Sequence, residues 1–484
     1  MKNLIILSFA LLAWSYASAQ GCFPEGIEFS EQAGIDNFQT NYPGCTEIEG
    51  SVIINGGDIT NLNGLSVLTS IGVDLIIGID GFPFGYGNPY LTSLTGLDNL
   101  TSIGGYLHIG RNIALTTLTG LEGLTSIGGE LLIEENDVLS GISGLENLTS
   151  TGGYLIINGN DILISMSGLE NLSSIGGISI YQNSSLNSLS GLVNLTTIGG
   201  NLGIGENDVL TSLTGLDNLT SVGDFLEILE NNILTSLSGL ENLTAIGSGV
   251  IIQDNIVLTS LAGLNNVTMI GGPLSIFNTA LTSLMGLDNM TSIGGGIYIG
   301  SESYGGNPAL TSLTGLSNLT SIGGDLNIGW NNSLTSLTGL DNIDAGSITN
   351  LTIINNTSLS TCDVKSICNY LAAAGGEIYI SNNAPACNSI EEVEEACTVG
   401  FEDLTVQSSK LSESIFQLHH FGIRAGTFCQ RQFIDFQPSR AASGGAGGWR
   451  AGRGQVPGAM ECQANAGRHL LLPTVNCQLS TDDW

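Results

Sequence analysis

Along most of this chain, leucine and isoleucine recur at every third position and then at every second. In residues 91–114 the apolar positions are Leu91, Leu94, Leu97, Leu100 and Ile103, followed by Leu107 and Ile109. A step of two is the period of a strand. A step of three fits neither a long strand nor a long amphipathic helix. It predicts a chain that turns repeatedly through short strands and 3₁₀-like or extended corners, with all seven side chains pointing into one narrow interior. Similar units begin at Ile59, Leu91, Leu115, Leu139, Leu163, Leu186, Leu210, Leu234, Leu258, Leu281, Leu310, Leu334 and, degenerately, Leu359. Most steps are 24 residues and two are 23; the units from Ile59 and Leu281 run to 32 and 29 and so carry insertions. A single coil would leave its interior open to water, and stacking closes it. The expected architecture is a β-solenoid of about 13 coils of 24 residues.

Polar positions repeat as strictly. The sixth residue is Gly in every unit from Leu91 to Leu334, as in Gly96 and Gly120, which marks a corner with positive φ or close backbone approach. The ninth is Asn in all of these but one, beginning with Asn99; Gly123 is the exception. A second Asn stands near each unit's end: Asn112, Asn136, Asn160, Asn183, Asn207, Asn231, Asn255, Asn278 and Asn331. Stacked about 4.8 Å apart, such amides can bond neighbouring coils and satisfy corner backbone groups. The run Leu107-x-Ile109-x-x-Asn112-x-x-Leu115 resembles the core of leucine-rich repeats with one residue added. The whole unit looks like the receptor L-domain type and is similar to repeats of bacterial exported proteins. The resemblance covers roughly residues 46–383. It implies a right-handed solenoid and extracellular recognition.

Domain organisation follows from the ends. Lys2, the apolar run Leu4–Trp14 and Ala17-Ser18-Ala19 read as a signal peptide over 1–19. The remainder divides into an N-terminal cap over 20–45, the solenoid over 46–358, a C-terminal cap over 359–400, and a linker and tail over 401–484. No later apolar stretch is long enough for a membrane span. Cysteines flank the repeats: Cys22 and Cys45 before them, Cys362, Cys368, Cys387 and Cys397 after. In an exported chain these are disulfide candidates, the last four with three possible pairings. A rival reading lipidates Cys22, although the residues before it match a lipobox poorly. Helical spacing is expected over Cys362–Ala374, a strand over Glu377–Ser381 and a short acidic helix over Asn388–Cys397.

After Gly400 the pattern is lost and the charge reverses: six of the seven Arg lie there. Residues 401–412 resemble the linker before the sorting domain of type IX secreted bacterial proteins, but the expected continuation is missing. The segment from Glu413 reads as a frame-shifted or decayed remnant, or else as a basic surface-binding tail.

From Gln20 to Gly400 there are 37 Asp and Glu against Arg111 and Lys365 alone. Nucleic acid is thereby excluded as a partner, since phosphates must be met by Lys and Arg. No catalytic constellation is present. His108 should point outward from a strand, and no GxSxG-like motif accompanies it. The eighth position is acidic at Asp98, Glu122, Glu146, Glu170, Asp217, Glu241, Asp288 and Asp341, predicting a solvated column with calcium as the possible bridging ion. Other than that calcium, no cofactor or metal is implied.

Ligand-binding candidates come from irregularities. The insertion over 78–90 carries Phe82, Phe84, Tyr86 and Tyr90, and the insertion over 300–309 carries Tyr304. Each loop either projects as a recognition element or folds back on its coil. A third surface is the outward strand residue of each coil, namely His108, Leu132, Ile156, Ser179, Gly203, Glu227, Ile251, Ser275, Tyr298 and Asn327, several of them apolar. The function expected is ligand binding or adhesion, secreted or on the outer surface of a bacterium, with an extracellular protein or glycan as ligand. A structural stalk or matrix component is the alternative, and a polysaccharide-degrading β-helix enzyme the second. Thr at the second and eleventh positions adds an ice- or crystal-binding variant.

Overall fold

The computed structural model describes residues 20–78, 87–373 and 375–398, and two short strands in the tail. The chain divides into units Met1–Gln407 and Ser408–Trp484. In the second, Glu461–Ala464 pairs antiparallel with Val475–Gln478; the expectations for Glu413 onward otherwise lie outside the described residues, as does the signal peptide.

The first unit is a parallel β-solenoid. Its main sheet has 15 strands, from Ile27–Phe29 to Ile378–Ser381, each paired with its neighbours in the preceding and following coils. Register advances by one coil at each step: Leu107 lies beside Leu131, Leu131 beside Leu155, and Leu155 beside Ile178. The sheet exceeds the 13 coils expected because both caps add strands to it. The seven apolar positions of the Leu91 unit are all at most 2% exposed, and their apolar counterparts in the coils from Ile59 to Leu334 at most 5%, giving one continuous interior. Parallel ladders between coils are what allow this: each strand's inward residues lie directly on those of the next.

Two glycine positions fix the coil's path. Gly120 has φ +112°, and a Cβ there would lie 2.1 Å from the Leu94 carbonyl oxygen, so a side chain is excluded twice over. Gly128 follows the two-residue strand Ser126–Ile127, and its Cβ would lie 2.1 Å from the Gly104 carbonyl oxygen of the preceding coil. Together with Gln20–Cys22 and Cys45–Ile48, such two-residue strands form two further six-stranded sheets. The gap between them falls at the 23-residue coil that begins at Leu163, which lacks one residue between Ile175 and Ile178.

The caps are tied by disulfides Cys22–Cys45, Cys362–Cys387 and Cys368–Cys397. The first engages Cys22 and excludes its lipidated alternative in this form. Each bond closes a loop of about one coil, and such closure contributes about 3 kcal/mol. The C-terminal helix Lys365–Ala373 starts three residues later than its apolar spacing suggests, and a second helix covers 390–398. Among the described residues no helix is long and apolar enough to cross a membrane.

Candidate ligand-binding face

Most of the recurrent polar residues hold one coil to the next. In the inner ladder, the Asn112 backbone N–H donates to Asn136 Oδ1 at 3.1 Å, while Asn112 Nδ2 donates to the Ile77 carbonyl at 2.9 Å. The pattern repeats through Asn136, Asn160, Asn183, Asn207 and Asn231, all fully buried. Asn278 is not a member. Counted from its strand, Thr279 stands where Asn255 does in the coil before and donates to Asn307 Oδ1; the residue missing from the 23-residue Leu258 coil falls between Thr279 and Leu281. Asn278 instead sits at the corner with φ +47° and bonds Asp254. Both insertions re-enter the ladder through Gly-Asn-Pro, by Asn88 and Asn307. That shared tripeptide was the sequence signal for two ladder members the spacing of the other Asn residues did not give.

The ninth-position Asn column is also structural. Asn147 Nδ2 donates to the Glu122 carbonyl and Asn171 Nδ2 to the Glu146 carbonyl. The eighth-position carboxylates bond the backbone of their own coil: Glu122 accepts from the Gly120 N–H at 2.8 Å and Asp217 from the Gly215 N–H at 2.7 Å. Most of these carboxylates stay exposed, as a solvated column requires, and one oxygen of each is engaged by the amide of the positive-φ glycine. Among the described residues no group of three or more His, Cys, Asp and Glu side chains converges. Eleventh-position Thr hydroxyls donate to the previous coil's carbonyl, as Thr125 to Thr101 at 3.0 Å. A shallow trough of about 700 Å³ over the first short sheet is lined by Ser, Gly and Ile residues and Thr151, with no charged side chain among them.

The outer face of the main sheet differs. His108 belongs to its outward column yet is 4% exposed, with Nε2 3.4 Å from Glu134, which corrects the expected exposed histidine. Leu132, Ile156, Ile251 and Tyr298 stand half-buried in the same column. Burial, then Asp325, raises the Tyr298 hydroxyl's pKa. Tyr90 and Tyr304 are 62% and 54% exposed. The Tyr304 ring lies 5.3 Å from Phe277, so this insertion folds back onto the sheet face. Phe82, Phe84 and Tyr86 lie outside the described residues.

Two further aromatics, passed over by the spacing argument, lie flat on this face. The Tyr154 side chain crosses the shortened coil: a Cβ at Gly177 would fall 2.3 Å from its Cε1, and one at Gly200 2.6 Å from its hydroxyl oxygen. The Asn201 N–H donates to that oxygen at 3.3 Å. Tyr181 covers Gly203 and Gly205, whose Cβ atoms would lie 2.7 and 2.4 Å from it. The missing residue in the Leu163 coil explains the first shelf, since Gly177 pairs with Tyr154 itself. Burial pushes the Tyr181 hydroxyl up, and Glu227 and Glu206 push it further.

The fold is that of a leucine-rich-repeat-like β-solenoid. No protein-family model and no curated protein matches the chain. An internalin from Listeria monocytogenes is 18% identical, with 55% of this chain and 87% of that one covered and a TM-score of 0.31. Toll, solved with Spatzle from Drosophila, is 14% identical, with 71% of this chain and 56% of that one covered and a TM-score of 0.32. Overlaps this loose carry neither ligand nor partner across.

Proposed function

We propose that this chain is a secreted or outer-surface bacterial recognition protein that binds an extracellular partner through the outer face of its main sheet. The observation that carries the reading is the contrast between spent and unspent side chains. Asn, Thr and carboxylate columns elsewhere bond the next coil or their own backbone, whereas Leu132, Ile156 and Ile251 present half-buried apolar surface on a strand face that solvation alone would make polar. Three disulfides support export to an oxidising compartment. Export by the 1–19 signal and sorting through a type IX-like linker belong to the same proposal.

The test is a protein and glycan array probed with the full chain. Saturable binding that falls at least tenfold in Ile156→Glu and Ile251→Glu, with thermal unfolding unchanged, supports the reading. Binding insensitive to both, or no saturable binding to any target, favours the structural stalk; turnover of a polymer would restore the enzyme.

A further inference from the structure

The shortened coil builds something the regular coils do not. Tyr154 and Tyr181 come from consecutive coils and spread over the glycines of the next two. The Tyr181 backbone is held as well: Asn158 Oδ1 accepts from the Tyr181 N–H at 3.2 Å while Asn158 Nδ2 donates to Glu134 at 3.3 Å. Rings pinned in this way lose little freedom on binding, which favours them as anchors. Around Tyr181 the charge is of one sign. Glu206 accepts from Gln182 Nε2 at 2.9 Å, a neutral donor, and Glu227 accepts no hydrogen bond among the described residues. Glu227 stands in the outward column between Gly203 and Ile251. From Gln20 to Gly400 there are 37 carboxylates against two bases, Arg111 and Lys365, so this part of the chain is complementary to a positively charged partner.

Resting on the sheet-face reading above, we propose that the Tyr154–Tyr181 shelf receives an arginine side chain from a basic segment of a partner protein, with the guanidinium over the Tyr181 ring and against Glu227 and Glu206. The physical fit is twofold. A planar cation stacks on an aromatic face, and its edge N–H groups meet carboxylates in the same plane. Burial first, then Glu227 and Glu206, raise the Tyr181 hydroxyl, and it is those two carboxylates beside the ring that a cation would meet. The glycines matter because Gly203 or Gly205 with a side chain would lift the ring off the sheet.

The probe is a linear peptide carrying three arginines separated by Gly-Ser, titrated into the full chain at low and at moderate salt. Its citrulline analogue, of the same shape without charge, and its lysine analogue serve as comparisons. The expected result is arginine binding that weakens at least tenfold with citrulline, with Tyr181→Leu, and with Glu227→Gln, and less with lysine. Glu227→Gln keeps size and leaves the ring packing intact, so it decides the matter should Tyr181→Leu disturb folding. Tyr379→Phe, at the far end of the sheet, should leave binding unchanged. Equal binding of the arginine and citrulline peptides overturns the proposal, as does loss of binding with salt alone and no response to Glu227→Gln. A neutral oligosaccharide bound in a Tyr181-dependent, salt-insensitive way also overturns it. If the arginine site fails in any of these ways while Ile251→Glu still abolishes array binding, the sheet-face reading survives and only this site falls.

Discussion

The side chains that hold coil to coil and those on the outer face of the main sheet occupy the same repeat, a few residues apart, yet obey opposite rules. Asn160 and Asn183 are invariant in kind with their neighbours and fully buried, and every polar atom they carry meets a backbone group or the next Asn. One residue past Ile157 or Ile180 the side chains change from coil to coil: Asn158, Tyr181, Gly205, Leu229, Gln253. Buried backbone polarity has one solution per coil, so the sequence repeats it. A face whose backbone is already satisfied by the sheet has no such constraint, and variation collects there. Regular columns thus report architecture, and departures from them report where selection for something else can act.

The largest expected break in that contrast comes from the ladder. Asn183→Leu removes the acceptor for the Asn160 N–H and the donors to the Ile157 and Tyr181 carbonyls in one step. Stranding these groups in the interior should cost roughly 3 to 5 kcal/mol, read as a lower denaturation midpoint. Because each coil touches only its neighbours, limited proteolysis should cut near residues 160–207 first. A loss under about 1 kcal/mol would mean water replaces the ladder and would dissolve the distinction drawn here.

A smaller effect is expected at the corners. Glu146→Ala takes the acceptor from the Gly144 N–H, bonded at 2.8 Å, at a site that solvent can partly reach. The loss should resemble that of a helix N-cap, about 1 kcal/mol. If the eighth-position carboxylates served as cation ligands instead, calcium would raise the melting temperature of the native chain and not of this variant.

Much of this was legible in the chain. Leu91 to Ile109 gave the coil, the sixth Gly its corner, and the Asn series its inter-coil bonds. Three things were hidden for physical reasons. Asn278 has the right identity but the wrong place: the residue missing between Thr279 and Leu281 puts Asn278 at the usual distance from the next coil's first Leu, whereas the ladder is set by distance from the strand, which Thr279 satisfies. His108 alternates outward as expected, but alternation gives direction and not exposure. Tyr154 precedes its strand's first core residue, so it was not counted among outward positions. Its partner is the glycine that the shortened coil brings beside it, a relation two coils long that no single unit displays.

The gentlest probe of the comparison is pH, because it acts on the column bordering the sheet face. Glu135, Glu206, Glu230 and Asp254 occupy corner positions with φ between 52° and 55°, a conformation unfavourable for any residue but glycine. Glu230 is raised above its ordinary value by burial first, then by Glu206 and Asp254; Asp137 is raised by burial, then by Asp161 and Glu135. Their ionised forms are therefore disfavoured in the folded chain relative to the unfolded one. Between the ordinary and the raised values the folded state binds more protons, so stability rises as pH falls through that window, and the penalty is complete above it. Thermal unfolding followed by circular dichroism should give a midpoint a little higher near pH 5 than near pH 7.5, with added salt at neutral pH recovering part of the difference. Glu230→Gln together with Asp137→Asn should flatten that slope. Glu230 and Asp137 differ from Glu122 and Glu146 in accepting no backbone N–H of their own coil among the described residues, so a midpoint that falls on mild acidification, unaltered by the double substitution, would place them with the structural columns after all.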